Sequence, residues 1–403
     1  MTERLYLVDS YLQTVRATVI ACQEWEGGYA VELDRTVFYP TGGGQPCDLG
    51  ALGAATVAEV TEQGGRVLHI VSTPLEPGEA VACGIDWGRR FDHMQQHSGE
   101  HLLSFAVKEL FGAANVGFHM SAAHCTIDLD LPLTREQLEA AEARANALVC
   151  QNLAVLLKDV DAEELPGLEL RKRAEGLEGT VRIVYMPGGD RCTCCGTHVA
   201  RTGEIGLIAV TDVEPHKGGV RVSFACGPRA VAYLQGARSV LEDVAHAYSC
   251  KREDVPQAVQ SLKRELSDIK REHRALQTKL VRAVSRELNE EARPVKGKRL
   301  IARLVDLPPS QLRPLALALC EAGGTLAFLL AQSEEGVQYV LCCSEGLGLD
   351  MGELAQSVNP ALQARGGGRG CLAQGFSARV SGLEGSIEQL AGYMERRLEA
   401  LGR

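Results

Sequence analysis

The sequence predicts an α+β protein built from several domains. Short β-prone runs separated by glycine-rich turns fill residues 1–90, and helical and strand patterns mix over residues 91–235. A long, charged helical pattern over residues 236–293 then precedes a further α/β module at residues 299–403. With 403 residues and a hydrophobic content of 45%, the chain has room for two or three hydrophobic cores.

The first two segments differ in their periodicity. TVRATVIAC, GYAVELDRTVFYP and RVLHIV alternate with turns in the first segment, which predicts a small N-terminal β-barrel or meander. In the second segment, HSGEHLLSFAVKELFG and LTREQLEAAEARANALVCQ have helical spacing, whereas VRIVYM, IGLIAVTDV and VRVSFACG are β-prone. This mixture predicts an α/β domain.

The last two segments also have distinct patterns. Apolar residues recur at three- and four-residue spacing through the long helical segment, which predicts a helical coiled-coil arm or hairpin; they are Val255, Val259, Leu262, Leu266, Ile269, Leu276 and Leu280. After residue 299, the runs RLIARLV, GTLAFLLAQ and QYVLCCS predict strands. A glycine loop, ARGGGRGCLAQGF, leads into one more strand and a closing amphipathic helix.

Composition excludes several classes of protein. No apolar stretch reaches the length of a membrane span, and the N-terminus lacks the apolar region of a secretory signal. Fourteen cysteines in such a chain predict free thiols or metal ligands in a reducing cytoplasm. The net charge of −10 argues against indiscriminate coating of nucleic acid, although a local basic face could still bind it.

Two pairs of metal-binding side chains share the same spacing. His97 and His101 lie four residues apart in a predicted helix, so both imidazoles point from one face. About ninety residues later, Cys194 and His198 repeat the spacing in a tight turn that contains glycine. Three nitrogens and one sulfur form a ligand set that suits Zn²⁺ best, although nickel or cobalt could bind in vitro.

Neighbouring residues leave alternatives open. Cys192 and Cys195 crowd around Cys194, and we favour Cys194 because only it repeats the four-residue spacing to a histidine. Glu100 is a candidate base near the metal, or else a solvated helix residue. The segment His97–His101 also matches the H-x-x-E-H pattern of inverted zinc peptidases, but such sites use a downstream carboxylate in place of a thiolate.

Five motifs, taken in order, resemble the editing domain of alanyl-tRNA synthetase and its free-standing AlaX relatives: FYPTGGGQPCDLG (38–50), MQQHSGEHLLS (94–104), GFHM (117–120), CCGTHVARTGEIG (194–206) and GGVRVSFACG (218–227). GGGRGCLAQG (366–375) is similar to the DHHA1-type module of the long form, AlaX-L. The resemblance implies an aminoacyl-tRNA deacylase that hydrolyses the ester of tRNA(Ala) mischarged with serine, or with glycine. Residues 91–235 would then be the zinc-binding editing domain and residues 299–403 the DHHA1-like module.

The chain departs from the family pattern at two places. The family most often has glycine after the metal-binding cysteine, whereas this chain has Cys195, so the metal thiol could shift by one residue. His124 and Cys125 also stand where relatives tend to have other residues. We expect both to be structural, with Cys125 buried as a small hydrophobic residue at the start of a strand.

The glycine loop at residues 41–45 is the predicted substrate clamp. Gly42, Gly43 and Gly44 allow close approach of backbone to a small ligand, and Gln45 offers both a donor and an acceptor. Thr41 could hydrogen-bond the hydroxyl of a seryl group, which would exclude alanine by leaving polar groups unpaired. Thr41, Gln45 and Glu100 are the candidate catalytic residues. Zinc could activate water, polarise the carbonyl or position the substrate.

Basic residues in the C-terminal half are candidate contacts for the tRNA backbone. Lys270, Arg271 and Arg274 lie on the helical arm, and Arg365 and Arg369 flank the C-terminal glycine loop. A solvated helix face is the alternative for the first group. The resemblance also suggests a homodimer through the C-terminal module or the coiled coil. The alternative to the enzyme is a zinc-stabilised tRNA-binding protein without catalytic activity.

Overall fold

The computed structural model of the protein describes residues 2–172, 176, 179–378 and 382–401. The chain forms two compact units, Met1–Arg252 and Glu253–Arg403. The mixed α/β, multidomain character predicted from the sequence is confirmed. The boundary between the units falls inside the segment 236–293, and the finer division into four domains stays a prediction.

The first unit begins with a small barrel. Its strands are β1 (Glu3–Arg4), β2 (Thr14–Trp25), β3 (Gly28–Leu33), β4 (Arg35–Thr36), β5 (Gly50–Leu52), β6 (Ala55–Gln63), β7 (Arg66–Val71) and β8 (Ala80–Ile85). The barrel closes in the order β2-β3-β7-β6-β5-β8, and β1 pairs in parallel with β4 beside it. Alternate residues along the strands face inward and fill the barrel, among them Val31, Leu33 and Val60.

The rest of the first unit packs helices against two sheets. The helices are α1 (Leu5–Val8), α2 (Trp87–Phe111), α3 (Arg135–Cys150) and α4 (Pro228–Ala247), and the strands are β9 (Asn115–Met120), β10 (Cys125–Leu129), β11 (Leu156–Asp161), β12 (Thr180–Tyr185), β13 (Arg191–Thr193), β14 (Ile208–His216) and β15 (Gly219–Cys226). One sheet has the order β14-β15-β10-β9, and the other has the order β11-β12-β13. Helices α2 and α3 share one hydrophobic core with the first of these sheets.

Helix α2 carries the predicted metal-binding histidines, and its ends follow from local chemistry. Asp86 caps the N-terminus by accepting a hydrogen bond from the backbone N–H of Arg89 at 3.1 Å. Gly112 ends the helix in a left-handed conformation with φ of 73°. Gly99 permits a close approach, because a Cβ there would lie 2.2 Å from the Sγ atom of Cys226.

A buried ion pair joins the barrel to α2. Arg90 and Asp48 are both fully buried, and the Nε atom of Arg90 lies 3.0 Å from Oδ1 of Asp48. Arg90 also donates to the carbonyls of Ser10 and Val37, and Asp48 accepts from the backbone N–H of Tyr39. These hydrogen bonds satisfy both buried side chains, and a buried ion pair is stable only when its remaining polar atoms are satisfied in this way. The pair therefore fixes the glycine loop of the barrel against the metal-binding helix.

The second unit is built around one mixed sheet. Its helices are α5 (Val255–Glu290), α6 (Leu312–Cys320), α7 (Met351–Leu362) and α8 (Leu383–Ala400), and its strands are β16 (Arg293–Val295), β17 (Lys298–Leu304), β18 (Thr325–Ser333), β19 (Gly336–Cys343), β20 (Arg365–Arg369) and β21 (Leu372–Ser377). The strand order is β16-β17-β18-β19-β21-β20. Helices α7 and α8 cover one face of the sheet, while α6 and the end of α5 cover the other.

Two predictions for the C-terminal half need correction. The predicted glycine loop is in fact the edge strand β20 paired with β21, because glycine allows the strands to approach closely: a Cβ on Gly368 would lie 2.1 Å from the carbonyl oxygen of Leu372. The long helix predicted for residues 236–293 is divided into two helices, α4 and α5, whereas the choice between a coiled-coil arm and a hairpin stays a prediction. Ser249 adopts a positive φ of 51° between them, and Pro256 stands in the first turn of α5.

The apolar stripe predicted for the arm is present on α5 but remains exposed. Leu266, Ile269 and Leu276 are 49%, 54% and 63% exposed. A helical segment is therefore confirmed, whereas its pairing in a coiled coil stays a prediction. Within the described ranges, none of the helices is both long enough and apolar enough to cross a membrane.

Candidate metal centre

The four predicted ligands come together in the first unit. One ligand atom from each of His97, His101, Cys194 and His198 lies within 4.8 Å of the others. The Sγ atom of Cys194 is 3.4 Å from Nε2 of His97 and 3.4 Å from Nε2 of His198. Ligand atoms around a tetrahedral zinc ion are separated by about 3.3–3.8 Å, given the usual Zn–N and Zn–S bond lengths. The spacing of this cluster therefore fits a small tetrahedral ion.

The Nδ1 atom of each histidine is held by a protein group. Nδ1 of His97 lies 2.9 Å from Oε1 of Gln45, and Nδ1 of His198 lies 3.1 Å from Oγ of Ser98. Nδ1 of His101 lies 2.8 Å from Oδ2 of Asp190. Each acceptor favours a proton on Nδ1, which leaves the Nε2 lone pair for a metal ion.

The protonation states of Cys194 and His198 also favour metal binding. Burial would raise the pKa of the Cys194 thiol, but His97 and His198 outweigh it and hold that pKa well below its usual range. Burial lowers the pKa of His198 to about 4, so its imidazole is neutral near pH 7. A thiolate and a neutral imidazole are the forms that bind metal. By contrast, burial raises the pKa of Cys192, which keeps that thiol protonated.

Buried acidic groups surround the site. Glu100 and Asp190 are buried carboxylates, and Cys194 adds a thiolate. Arg171 binds Asp190 through two hydrogen bonds of 2.6 and 2.9 Å. The donor set of three imidazoles and one thiolate fits Zn²⁺.

The choice among the three clustered cysteines is resolved by position. Cys194 is the thiol that groups with the three imidazoles. Cys192 lies on the other side of His101, with its Sγ atom 3.4 Å from Nδ1, in a group that includes Asp190. Cys195 is exposed and lines the adjoining cavity. Gly196 must be a glycine, because a Cβ there would lie 2.2 Å from Cε1 of His97.

Gln45 has a supporting position beneath the metal cluster. It is 1% exposed, and its Nε2 donates to Oγ1 of Thr197 at 2.9 Å. Its Oε1 accepts from the backbone N–H of Thr197 and from His97. Gln45 therefore links the glycine loop to both halves of the ligand set. No pattern in the sequence predicted this contact, because the two segments lie about 150 residues apart.

The glycine loop forms a tight turn. The backbone N–H of Gly42 donates to the carbonyl of Gln45 at 3.0 Å, and the reverse bond is 2.9 Å long. Gly43 and Gly44 have φ of 56° and 85°, which is the left-handed pair of a type I′ turn. Gly44 also packs against Phe118, where a Cβ would lie 2.7 Å from the carbonyl oxygen.

A cavity of about 450 Å³ adjoins the cluster. Thr41, Gly42 and Gly43 line one part of it, and Cys194 and Cys195 line another. Thr41 is exposed, and its Oγ1 accepts a hydrogen bond from the backbone N–H of Cys47 at 3.2 Å. The predicted clamp and the predicted metal ligand therefore open on the same space, which has a volume in the range of small-molecule sites.

Glu100 is buried beside the cluster, so the alternative of a solvated helix residue is wrong. Its Oε1 accepts from Oγ of Ser104 at 2.6 Å and from Nδ2 of Asn115 at 2.7 Å. Its Oε2 lies 3.7 Å from Nε2 of His101. Burial would raise the pKa of Glu100, but His101 and Arg171 lower it below its usual value. The carboxylate is therefore ionised, and it faces the ligand side of His101.

The remaining predicted residues are not members of the cluster. His124 is exposed and Cys125 is buried at the start of β10, as expected for structural positions. The predicted tRNA contacts belong to the second unit and are exposed: Lys270, Arg271 and Arg274 on α5, and Arg365 and Arg369 on β20. Arg271 pairs with Asp268 at 2.8 Å.

Comparison with known proteins points to one group. Residues 181–222 match the family model described as the threonyl and alanyl tRNA synthetase second additional domain. The matched segment contains Cys194 and His198, and also Asp190, which the sequence prediction missed.

Three relatives illustrate the similarity. The chain is 33% identical to the alanyl-tRNA editing protein Aarsd1 of Rattus norvegicus over 63% of this chain and 66% of that protein, just under two thirds of its length. It is 29% identical to the alanyl-tRNA editing protein AlaX-L of Pyrococcus horikoshii over 93% of this chain and 94% of that protein. It is also 33% identical to the alanine–tRNA ligase of Methanoregula boonei over 95% of this chain and 42% of that protein.

Proposed function

Because this chain is a homologue of the alanyl-tRNA editing proteins, we propose that it is an aminoacyl-tRNA deacylase that hydrolyses the ester of mischarged tRNA(Ala). The substrate proposed is tRNA(Ala) carrying serine, or glycine, and the cofactor is Zn²⁺. The observation that carries the proposal is the cluster of His97, His101, Cys194 and His198 beside a cavity lined by the glycine loop.

A zinc ion held by these four side chains would supply a Lewis acid for the ester carbonyl, or a fixed site for water or for the substrate's amine. The protein groups around it orient the ligands. Gln45, Ser98 and Asp190 hold the three Nδ1 atoms, and Arg171 holds Asp190. We therefore assign Gln45 a positioning role, in place of the predicted direct contact with substrate.

Two residues have proposed roles closer to the substrate. Thr41 is exposed in the cavity, where its hydroxyl can hydrogen-bond a seryl hydroxyl, and a substrate without that hydroxyl would not form this hydrogen bond. Glu100 is ionised and accepts two hydrogen bonds, so it is a weak base. We assign its negative charge to stabilising the cation and any positive charge that develops beside His101.

The second unit is proposed to bind the tRNA backbone. Lys270, Arg271 and Arg274 project from α5, and Arg365 and Arg369 lie on the exposed edge strand β20. We also propose that this unit is the DHHA1-like module and that the exposed apolar stripe of α5 pairs in a coiled coil, which could join two copies of the chain.

The decisive experiment compares deacylation of Ser-tRNA(Ala), Gly-tRNA(Ala), Ala-tRNA(Ala) and Ser-tRNA(Ser). It uses the unmodified protein, Cys194→Ala and Cys195→Ala, with bound zinc measured in each. We expect rapid loss of serine from tRNA(Ala) alone, and loss of both zinc and activity in Cys194→Ala. Cys195→Ala should keep its zinc, because Cys195 lies outside the ligand cluster.

The same experiment separates the alternative function. If the unmodified protein binds zinc and tRNA but deacylates none of the four substrates, the metal has a structural role and the protein is a tRNA-binding protein. If Cys195→Ala loses zinc while Cys194→Ala keeps it, the assignment of the ligands is wrong.

A further inference from the structure

Arg182, an arginine that forms no ion pair within the described part of the chain, lines the cavity next to the candidate metal cluster. Arg182 lies on β12, opposite the segment that carries the metal ligand: the backbone N–H of Cys194 donates to the carbonyl of Arg182 at 3.1 Å. Arg182 and Cys194 both line the cavity. The side chain is therefore placed between β12 and the space in which the substrate ester would lie.

The hydrogen bonding of Arg182 is incomplete. The residue is 8% exposed, one terminal nitrogen donates to the carbonyl of Leu7, and its buried Nε has no hydrogen-bond partner. In the described part of the chain, Arg182 forms no ion pair with a carboxylate. A buried guanidinium without an anion is costly, because it has lost water and gained no opposite charge.

Other buried arginines of the first unit do not share this feature. Arg90 is paired with Asp48, and Arg171 is paired with Asp190. Both are satisfied from within the protein and hold structural elements together. Arg182 differs because it faces a cavity, so its anion can come from a ligand.

A second cation strengthens the positive potential of the cavity. Arg4 also lines it and donates to Oε1 of Glu62 at 2.7 Å. Both arginines line the same cavity as Cys195, the exposed thiol in its wall.

We infer that Arg182 binds the phosphate group attached to the 5′ oxygen of the terminal adenosine of the substrate, with Arg4 as a secondary contact. The inference rests on the proposed function, because an aminoacyl ester on tRNA is carried by a nucleoside that is joined to the rest of the chain through this phosphate. Arg182 would hold the nucleotide while the ester bond lies at the metal cluster. It is a binding residue and takes no part in the chemical step.

Two small esters that differ only in this phosphate provide the test. They are 3′-O-seryl adenosine 5′-monophosphate and 3′-O-seryl adenosine, and the measured quantity is the ratio of their kcat/KM values. We expect the protein to prefer the phosphorylated ester by about tenfold to hundredfold, the range for a hydrogen bond to a charged group. Arg182→Gln should reduce the ratio to near one.

The ratio of the two kcat/KM values distinguishes a loss of phosphate binding from a loss of folding or of metal. A variant that is partly unfolded or has lost metal hydrolyses both esters more slowly, and the ratio stays unchanged. Arg182→Lys should give an intermediate ratio, because lysine keeps the charge but lacks the Nε donor and the planar fork. Arg135→Gln is the matched control, since Arg135 is an exposed arginine on α3 that does not line this cavity.

Direct binding of adenosine 5′-monophosphate and of adenosine completes the design. Tighter binding of the monophosphate by the unmodified protein, lost in Arg182→Gln, supports the inference. Equal binding of the two ligands, or an unchanged preference in Arg182→Gln, overturns it. If neither ester is hydrolysed, the binding comparison alone decides whether Arg182 is a phosphate site, and the proposed function is decided separately by deacylation of Ser-tRNA(Ala).

Discussion

Replacing Asp190 by asparagine tests whether the buried network around His101 supports the metal centre. Asp190 accepts from Nδ1 of His101 at 2.8 Å and forms two hydrogen bonds with Arg171. Burial would raise the pKa of Asp190, but His101 and Arg171 hold it well below its usual range, so the side chain is charged. Asparagine keeps the shape of this residue but removes the charge.

Two effects of different size are expected from Asp190→Asn. Loss of a carboxylate behind a metal-binding histidine lowers metal affinity by about tenfold to hundredfold, or about 1.4–2.7 kcal/mol. Separately, Glu100, at 4.0 Å, would be the one anionic partner left to Arg171 among the residues that the structure describes. Breaking a buried ion pair from one side costs about 3–5 kcal/mol of unfolding free energy, and the lower end applies here because asparagine still accepts hydrogen bonds.

Zinc affinity is measured by competition with a chromophoric chelator near neutral pH, and stability by denaturant unfolding with and without zinc. Asp128→Asn is the matched control, because Asp128 also binds an arginine, Arg221, through two hydrogen bonds but contacts no ligand of the cluster. An unchanged zinc affinity in Asp190→Asn, with stability lowered as in the control, would refute the role of Asp190 in orienting His101.

Three more predictions follow from close contacts, burial and charge. Gly196→Ala should lower zinc affinity at least about tenfold, because its Cβ would overlap a metal-binding imidazole; equal affinities in Gly196→Ala and in Gly236→Ala, where the added Cβ meets nothing, would contradict this. Burial lowers the pKa of His69 to about 4, so the unfolded chain gains a proton below about pH 6.5 while the folded chain stays neutral. Acidification from pH 7 to pH 5 should therefore lower the unfolding free energy of the unmodified protein by about 2 kcal/mol more than that of His69→Gln. The unfolding free energies of both proteins are measured at both pH values, and identical pH profiles would rule this out. Replacing both Arg365 and Arg369 by glutamine should reduce the slope of log tRNA affinity against log salt by about 1.5, since each phosphate contact contributes about 0.7–0.9; an unaltered slope would exclude β20 from the RNA contact.

The grouping of the four candidate metal ligands was predictable because it depends on local geometry. Helical spacing places His97 and His101 on one face, and a short glycine turn returns Cys194 toward His198. A repeated spacing in two segments is a strong signal because both halves must meet at one ion. The strands and helices with clear periodicity were predicted for the same reason.

The residues that hold the histidines in place could not be predicted from local sequence patterns. Gln45, Ser98 and Asp190 reach the histidines only after the barrel, α2 and the β12–β13 hairpin have assembled. Their residue types are common on surfaces, so no spacing identifies them. Arg182 was missed for a different reason: an arginine inside the β-prone run VRIVYM looks like an ordinary strand residue until its buried Nε is seen to have no hydrogen-bond partner.

The glycine-rich segments show how one composition can serve two structures. In the first unit, Gly43 and Gly44 adopt positive φ and make a tight turn. In the second unit, Gly366 and Gly368 keep extended backbone and allow β20 to lie close against β21. Composition predicts irregularity in both cases, whereas the outcome depends on whether a partner strand is present to accept the backbone hydrogen bonds.

The barrel contributes contacts to the candidate metal centre, although the sequence predicted a separate domain that ends at residue 90. Gln45 extends from the barrel loop to His97, and the fully buried pair of Asp48 and Arg90 fixes the base of that loop to α2. A buried ion pair is stable only when both partners are held in place, so the loop cannot move away from the helix without exposing an unpaired charge. The position of Thr41 and of the glycines relative to the metal ligands is therefore set by this joint. Under the proposed function, selection of substrate at the loop and hydrolysis at the metal would be coupled through one short segment, residues 41–48.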